Sequence, residues 1–194
     1  MDFKLDAFPV DGNTGGIRST EKIRIAICYA LKECSGMLTK DNLLSALYDN
    51  GIANYFELCQ AIDDLTEVNA ISVTDGKLVI NENGIQIARD LENELSLFIR
   101  NKAVRAVRLT ALYEQRKKEN LVSVTKTEDG KYRLDITLLS GEAGKADTEE
   151  LLKISVYATD SIQAETMKTT FLNNPVRLYE NVIIALTEES EFKE

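Results

Sequence analysis

The strongest constraint in this 194-residue chain is a change of period near residue 70. Before it, apolar residues recur at helical spacing. From Ala70 to Ile80 they alternate with polar ones, interrupted once by Asp75-Gly76. An Asp-Gly pair between two alternating runs supplies the positive-φ residues of a tight hairpin turn. Three helices, a hairpin and then a return to helical spacing can be packed together in few ways.

The helical segments carry their own punctuation. Thr20 is read as the cap of a first helix reaching about Glu33, and Ser35-Gly36 ends it. Its apolar residues (Ile23, Ile25, Ile27, Cys28, Leu31) cover most of the circumference, which places it deep in a core. Thr39 caps a second helix carrying Leu43, Leu44 and Leu47, closed by Asn50-Gly51. Asn54, with Glu57 at the third helical position, has the form of a capping box for a third helix to about Glu67. Tyr55, Leu58, Cys59, Ile62 and Leu65 form its expected buried stripe. After the hairpin, Asn81 or Asn83 caps a fourth helix with Ala88, Leu91 and Leu95 on one side. This order is the winged-helix plan, in which the third helix is the recognition helix and the hairpin is the wing.

The remaining chain changes character twice. Residues 96–119 read as one or two helices, with Asn101 as a possible break point, and are basic: Arg100, Lys102, Arg105, Arg108, Arg116, Lys117 and Lys118 against Glu114 in the span 100–118. Val122, Val124, Tyr132, Leu134, Ile136 and Leu138 then alternate around Glu128-Asp129-Gly130, a second hairpin. Leu152, Ile154 and Val156 make a third strand beyond the loop 140–148. Asp160 with Gln163, and Asn174-Pro175, open two final helices. The fold class expected is α+β. An arm over 1–19 precedes a winged helix-turn-helix domain over 20–95 and a basic linker helix or helices over 96–120. Residues 121–194 form a small antiparallel three-stranded sheet covered by two helices.

Composition narrows the function. The chain has no histidine, which removes the commonest general base and zinc ligand, and with them serine-histidine and cysteine-histidine pairs. Cys28, Cys34 and Cys59 are odd in number and fall in apolar helical patterns, so they read as small buried hydrophobes. The run Asp11-Gly12-Asn13-Thr14-Gly15-Gly16 lacks the lysine-serine/threonine ending of a P-loop and reads as part of the arm. Adjacent acids such as Asp63-Asp64, Glu149-Glu150 and Glu188-Glu189 point apart and read as surface. The expectation is a protein that is not an enzyme, with no metal and no cofactor. No apolar run is long enough for a membrane span, and the N-terminus lacks a signal-peptide pattern, so a cytoplasmic location is expected.

Several stretches resemble a known family. They are Gly15-Gly16-Ile17-Arg18, Ala53-Asn54-Tyr55-Phe56-Glu57, Ile80-Asn81-Glu82-Asn83-Gly84 and the segment from Phe98-Ile99-Arg100 to Tyr113. In this order and spacing they resemble the bacterial family called domain of unknown function 4364, from Gly15 over nearly the whole chain. The resemblance implies a winged-helix domain joined to a family-specific second half, of the kind assigned to transcriptional regulators, and brings no catalytic residues. Asn101 stands where the family pattern prefers proline, which weakens the expectation of a helix break. Asn81 stands where threonine is usual.

Two partners are compatible with a winged helix here. For duplex DNA, the third helix would enter the major groove with Gln60 positioned to pair with adenine. Asn54 and Phe56 lie at the helix start, and Lys40 and Lys77 are the phosphate contacts within the fold, with Arg18, Lys22 and Arg24 near its entrance and Arg105 and Arg108 able to add more. Charge opposes this reading. The net charge is −9, and residues 1–95 hold eight bases against sixteen acids. No lysine or arginine occurs from Asn54 to Glu67, where Glu57, Asp64 and Glu67 would face phosphates. The alternative is another protein, met by Phe56 and Ala61 as an apolar patch beside those acids. For Arg105 and Arg108 the plain alternative is ion pairing with the acidic first half. A homodimer is expected from the two-fold logic of regulators, and the second half would serve dimerisation or ligand sensing.

Overall fold

The computed structural model describes residues 16–187. The chain divides into two compact units, Met1–Leu112 and Tyr113–Glu194. Residues 1–15 of the expected arm and Glu188-Glu189 lie outside the described residues.

The first unit is built around α1 (Thr20–Cys34), whose Ile23, Ile25, Ala26, Ile27, Cys28, Ala30, Leu31 and Cys34 are all buried. A helix apolar on nearly every side must be surrounded, and α1 packs against both α3 and α4. Its cap is Ser19 rather than Thr20: the Ser19 hydroxyl accepts the Lys22 N–H and Thr20 is the first helical residue. In α2 (Lys40–Asp49), Thr39 and Asn42 close a reciprocal capping box. In α3 (Tyr55–Glu67), Asn54 Oδ1 accepts the Phe56 N–H at 2.9 Å. Among the described residues no bond to the Glu57 side chain completes the expected box. The buried residues of α3 are Leu58, Ala61, Ile62 and Leu65. Ala61 therefore lies inside, contrary to its expected place on the outer face, and Tyr55 is 43% exposed rather than buried. The stripe is centred between Leu58 and Leu65, and Tyr55 sits at its edge in the first turn.

β1 (Ile71–Thr74) and β2 (Lys77–Ile80) pair antiparallel across Asp75 and Gly76, at φ 50° and 74°. Both turn residues are left-handed, as a two-residue turn of this kind requires. The loop after α1 holds the hairpin: Gly36 N–H donates to Leu78 O, Leu78 N–H to Leu38 O, and Ile80 N–H to Ser35 Oγ. α4 (Glu82–Asp90) begins after Asn81, whose side chain binds Ser72 and Asn69 instead of the helix start. At Gly84 a Cβ would lie 2.4 Å from Ala70 O and 2.7 Å from Ile80 Cγ1, so only glycine lets α4 approach the hairpin this closely. A 3-10 turn (Glu92–Glu94) leads to α5 (Leu97–Glu119), which runs 23 residues without a break at Asn101. The Ser96 hydroxyl accepts the Ile99 N–H at its start. Ile99, Ala103, Ala106, Val107 and Ala111 join α5 to the first core.

The second unit carries a three-stranded antiparallel sheet in the order β3 (Asn120–Lys126), β4 (Tyr132–Leu139), β5 (Glu150–Ala158). Val122 pairs with Ile136, and Ile136 with Ile154, so the alternating apolar residues meet on one face. α6 (Ser161–Asn173) and α7 (Pro175–Thr187) pack there through Met167, Phe171, Leu172, Leu178 and Tyr179. Asp160 accepts the Gln163 N–H at 2.8 Å, while Gln163 Oε1 accepts the Thr159 N–H at 2.7 Å. The molecule is α+β, as the alternation and helical spacing predict.

Candidate interaction face

The outer surface of α2 and α3 gathers three aromatic rings. Tyr48, in the last turn of α2, meets Tyr55 edge-on at 6.0 Å, and Tyr55 meets Phe56 edge-on at 6.0 Å. Edge-to-face geometry at this spacing is favourable, so the three rings form one ladder. Phe56 is 80% exposed at its end. Asp41, Asp49, Asp63 and Glu67 are exposed on the same two helices. Of the ladder, sequence reasoning points to Phe56 and misses Tyr48 and Tyr55. The available signal was that both tyrosines sit in terminal turns, where a helix outruns its packing.

The cations assigned to phosphate contact are largely engaged. Lys40 Nζ donates to Asp63 Oδ1 at 2.5 Å, and that bond holds the lysine above its ordinary pKa. Lys77 Nζ donates to Met37 O at 2.6 Å beside the hairpin. Arg108 donates to Glu33, an ion pair within the first unit. Gln60 donates to Asp64 at 2.8 Å, and Arg24 pairs with the same carboxylate. Those bonds, Gln60's first, lower the Asp64 pKa. Asn54 is occupied as a helix cap. Arg105 is exposed on α5 and makes no ion pair among the described residues. The structure thus groups Lys40, Asn54, Phe56 and Gln60 on the α2–α3 surface, and leaves Lys77 on the hairpin and Arg105 and Arg108 on α5.

The remaining chemistry is sparse. Cys28 and Cys34 are buried and Cys59 is half-buried; desolvation pushes the Cys28 thiol up to about 12, which keeps it protonated and unreactive. Among the described residues, no group of three or more His, Cys, Asp or Glu is placed to hold a metal ion. No described helix is long and apolar enough to cross a membrane. In the second unit an open groove of about 690 Å³ runs along β4, β5, α6 and α7, floored by Leu134, Ile136, Ile154 and Val156 with Arg177 at its edge.

No curated protein and no solved structure matches the chain. The model of the family described as Domain of unknown function (DUF4364) matches residues 23–186, and the chain belongs to that family.

Proposed function

We propose that the first unit is a winged-helix binding module without catalytic activity, acting in the cytoplasm, whose α2–α3 face docks a protein partner. The observation that carries this reading is the exposed Tyr48–Tyr55–Phe56 ladder among carboxylates. Exposed aromatics are enriched in protein interfaces and supply contact area at low entropic cost. The winged-helix assignment is supported by the element order: three helices, a hairpin with an Asp-Gly turn, and a following helix. Against a phosphate backbone the same face is poor, because Asn54 to Glu67 holds no lysine or arginine while Asp41, Asp49, Asp63 and Glu67 are exposed there. The absence of histidine supports binding over catalysis.

A second reading, a DNA-binding transcriptional regulator, is favoured by that element order and by Arg105, which is exposed and makes no ion pair among the described residues. One experiment separates them. Fluorescence anisotropy is measured with a duplex from the gene's own upstream region and with an unrelated duplex, over a salt series. In parallel, captured proteins are compared between wild type and Phe56→Ala. The expected result is no sequence-selective duplex binding and loss of a captured partner with Phe56→Ala. Tight, selective binding that falls steeply with salt, weakens for all sequences in Lys77→Ala and changes preference in Gln60→Ala would replace this reading with the DNA one.

A further inference from the structure

We infer that the partner covering the α2–α3 face is α5 of a second copy of this chain, laid antiparallel on α3, with the contact repeated about a two-fold axis. This rests on the reading of that face as a docking surface. α5 buries Ile99, Ala103, Ala106, Val107 and Ala111 on one side. Its opposite side is unlike an ordinary solvated face. Phe98, Lys102, Arg105, Leu109 and Leu112 recur there at steps of four, three, four and three residues, which is one straight stripe on a helix. Phe98 is 67% exposed, Leu109 56% and Leu112 45%, and Lys102 lies over the Phe98 ring at 5.7 Å. The stripe contains cations and apolar side chains and no acid.

The outer stripe of α3 is its complement. Phe56, Gln60, Asp63 and Glu67 follow steps of four, three and four, with an aromatic start and an acidic end and no cation. Laid antiparallel, the steps 56, 60, 63, 67 meet 109, 105, 102, 98. Phe56 then packs on Leu109, with Leu112 beyond it beside Tyr55 and Tyr48. Gln60 faces Arg105, and Asp63 faces Lys102 with Arg105 one turn away. The parallel arrangement sets Leu109 against Glu67 and leaves Leu112 without the aromatic ladder. Antiparallel helices also oppose their dipoles favourably. The existing Lys40–Asp63 pair is no obstacle, because both side chains are largely exposed and such pairs are weak. Both stripes lie in the first unit, and a contact repeated identically about a two-fold axis closes as a dimer without further copies.

The test uses the full chain in two charge-reversed forms. One carries Lys102→Glu with Arg105→Glu, the other Asp63→Lys with Glu67→Lys. Sedimentation equilibrium is expected to find a wild-type dimer, and each variant alone weakened by at least about ten-fold, since like charges then face each other twice per dimer. An equimolar mixture is expected to recover a one-to-one dimer, because every contact in it again joins opposite charges. Circular dichroism and melting of each variant show that it is folded. A second measurement needs no variant: the wild-type dimer is expected to loosen between about 50 and about 500 mM salt as the pairs are screened. A wild-type monomer at about 100 μM, well above the micromolar range of modest association, overturns the inference. So does a dimer indifferent to salt, or a mixture of folded variants that stays monomeric. If the wild type is monomeric while Phe56→Ala still loses another captured partner, the docking face stands and the self-pairing alone falls.

Discussion

Asp64 shows how single side chains set the character of α3. Its carboxylate accepts from Gln60 and pairs with Arg24 on α1, and it is held below the ordinary aspartate range. A depressed folded pKa means stabilisation present above the unfolded value and lost as pH falls through the folded one. Asp64→Asn is therefore expected to lower stability by about 0.5–1 kcal/mol near neutral pH, a size set by the part-exposed partners. The gap to wild type should begin to close as pH falls below about 3.9, the ordinary aspartate value, and be gone only below the lower folded value. Urea midpoints at several pH values read this directly; a gap constant with pH would mean that the substitution acts through packing instead. The same pair shows why the charge of this helix misleads from sequence alone. Asp64 counts against DNA as a free anion, yet its partner Arg24 lies 40 residues away and is consumed by it.

At the scale of elements, local chemistry predicts most of what forms. The Asp75-Gly76 turn, the Thr39 cap, the Asp160 cap and the alternation on β3, β4 and β5 each have one strong physical solution, and the fold takes it. The errors lie where two neighbours compete. Ser19 and Thr20 are both good caps, and the first wins because the helix begins one residue earlier than the apolar pattern demands. Ser19→Ala is expected to cost about 1 kcal/mol and Thr20→Ala a few tenths at most, as thermal melts of the two variants would show. Equal losses would place the cap at Thr20 after all. The face of α3 was legible at Phe56 and Gln60 but not at Ala61, whose small side chain gives no hydropathic signal of which way it points. The tyrosines of the ladder depend on where α2 and α3 end relative to the body, a tertiary fact. The unbroken α5 likewise follows from its packing on the first core, against the weak local signal of Asn101.

At the scale of the whole molecule, the two cores share no residue among the described ones. One is built on α1 and the other on Leu134, Ile136, Leu138, Phe171 and Leu172. Within α5, Ile99, Ala103, Ala106, Val107 and Ala111 face the first core, and Tyr113 packs against the second. Arg116 extends that second attachment by donating to the backbone carbonyls of Leu172 and Asn173. A helix propagates cooperatively once nucleated, but its protection against hydrogen exchange comes from whichever core holds it. Leu134→Ala opens a cavity at a side chain only 1% exposed and is expected to cost about 2–5 kcal/mol. If the cores are energetically separate, that loss appears as faster amide exchange in β3, β4, β5 and α6, and in α5 only beyond about Leu112. The amides of α1 and α3 should keep their wild-type rates. Leu47→Ala, a fully buried residue of the first core, should give the mirror image. A uniform rise across the chain in both variants would mean instead that α5 couples the two halves into one unfolding unit, so that an event at either core reaches the Phe98–Leu112 stripe of α5.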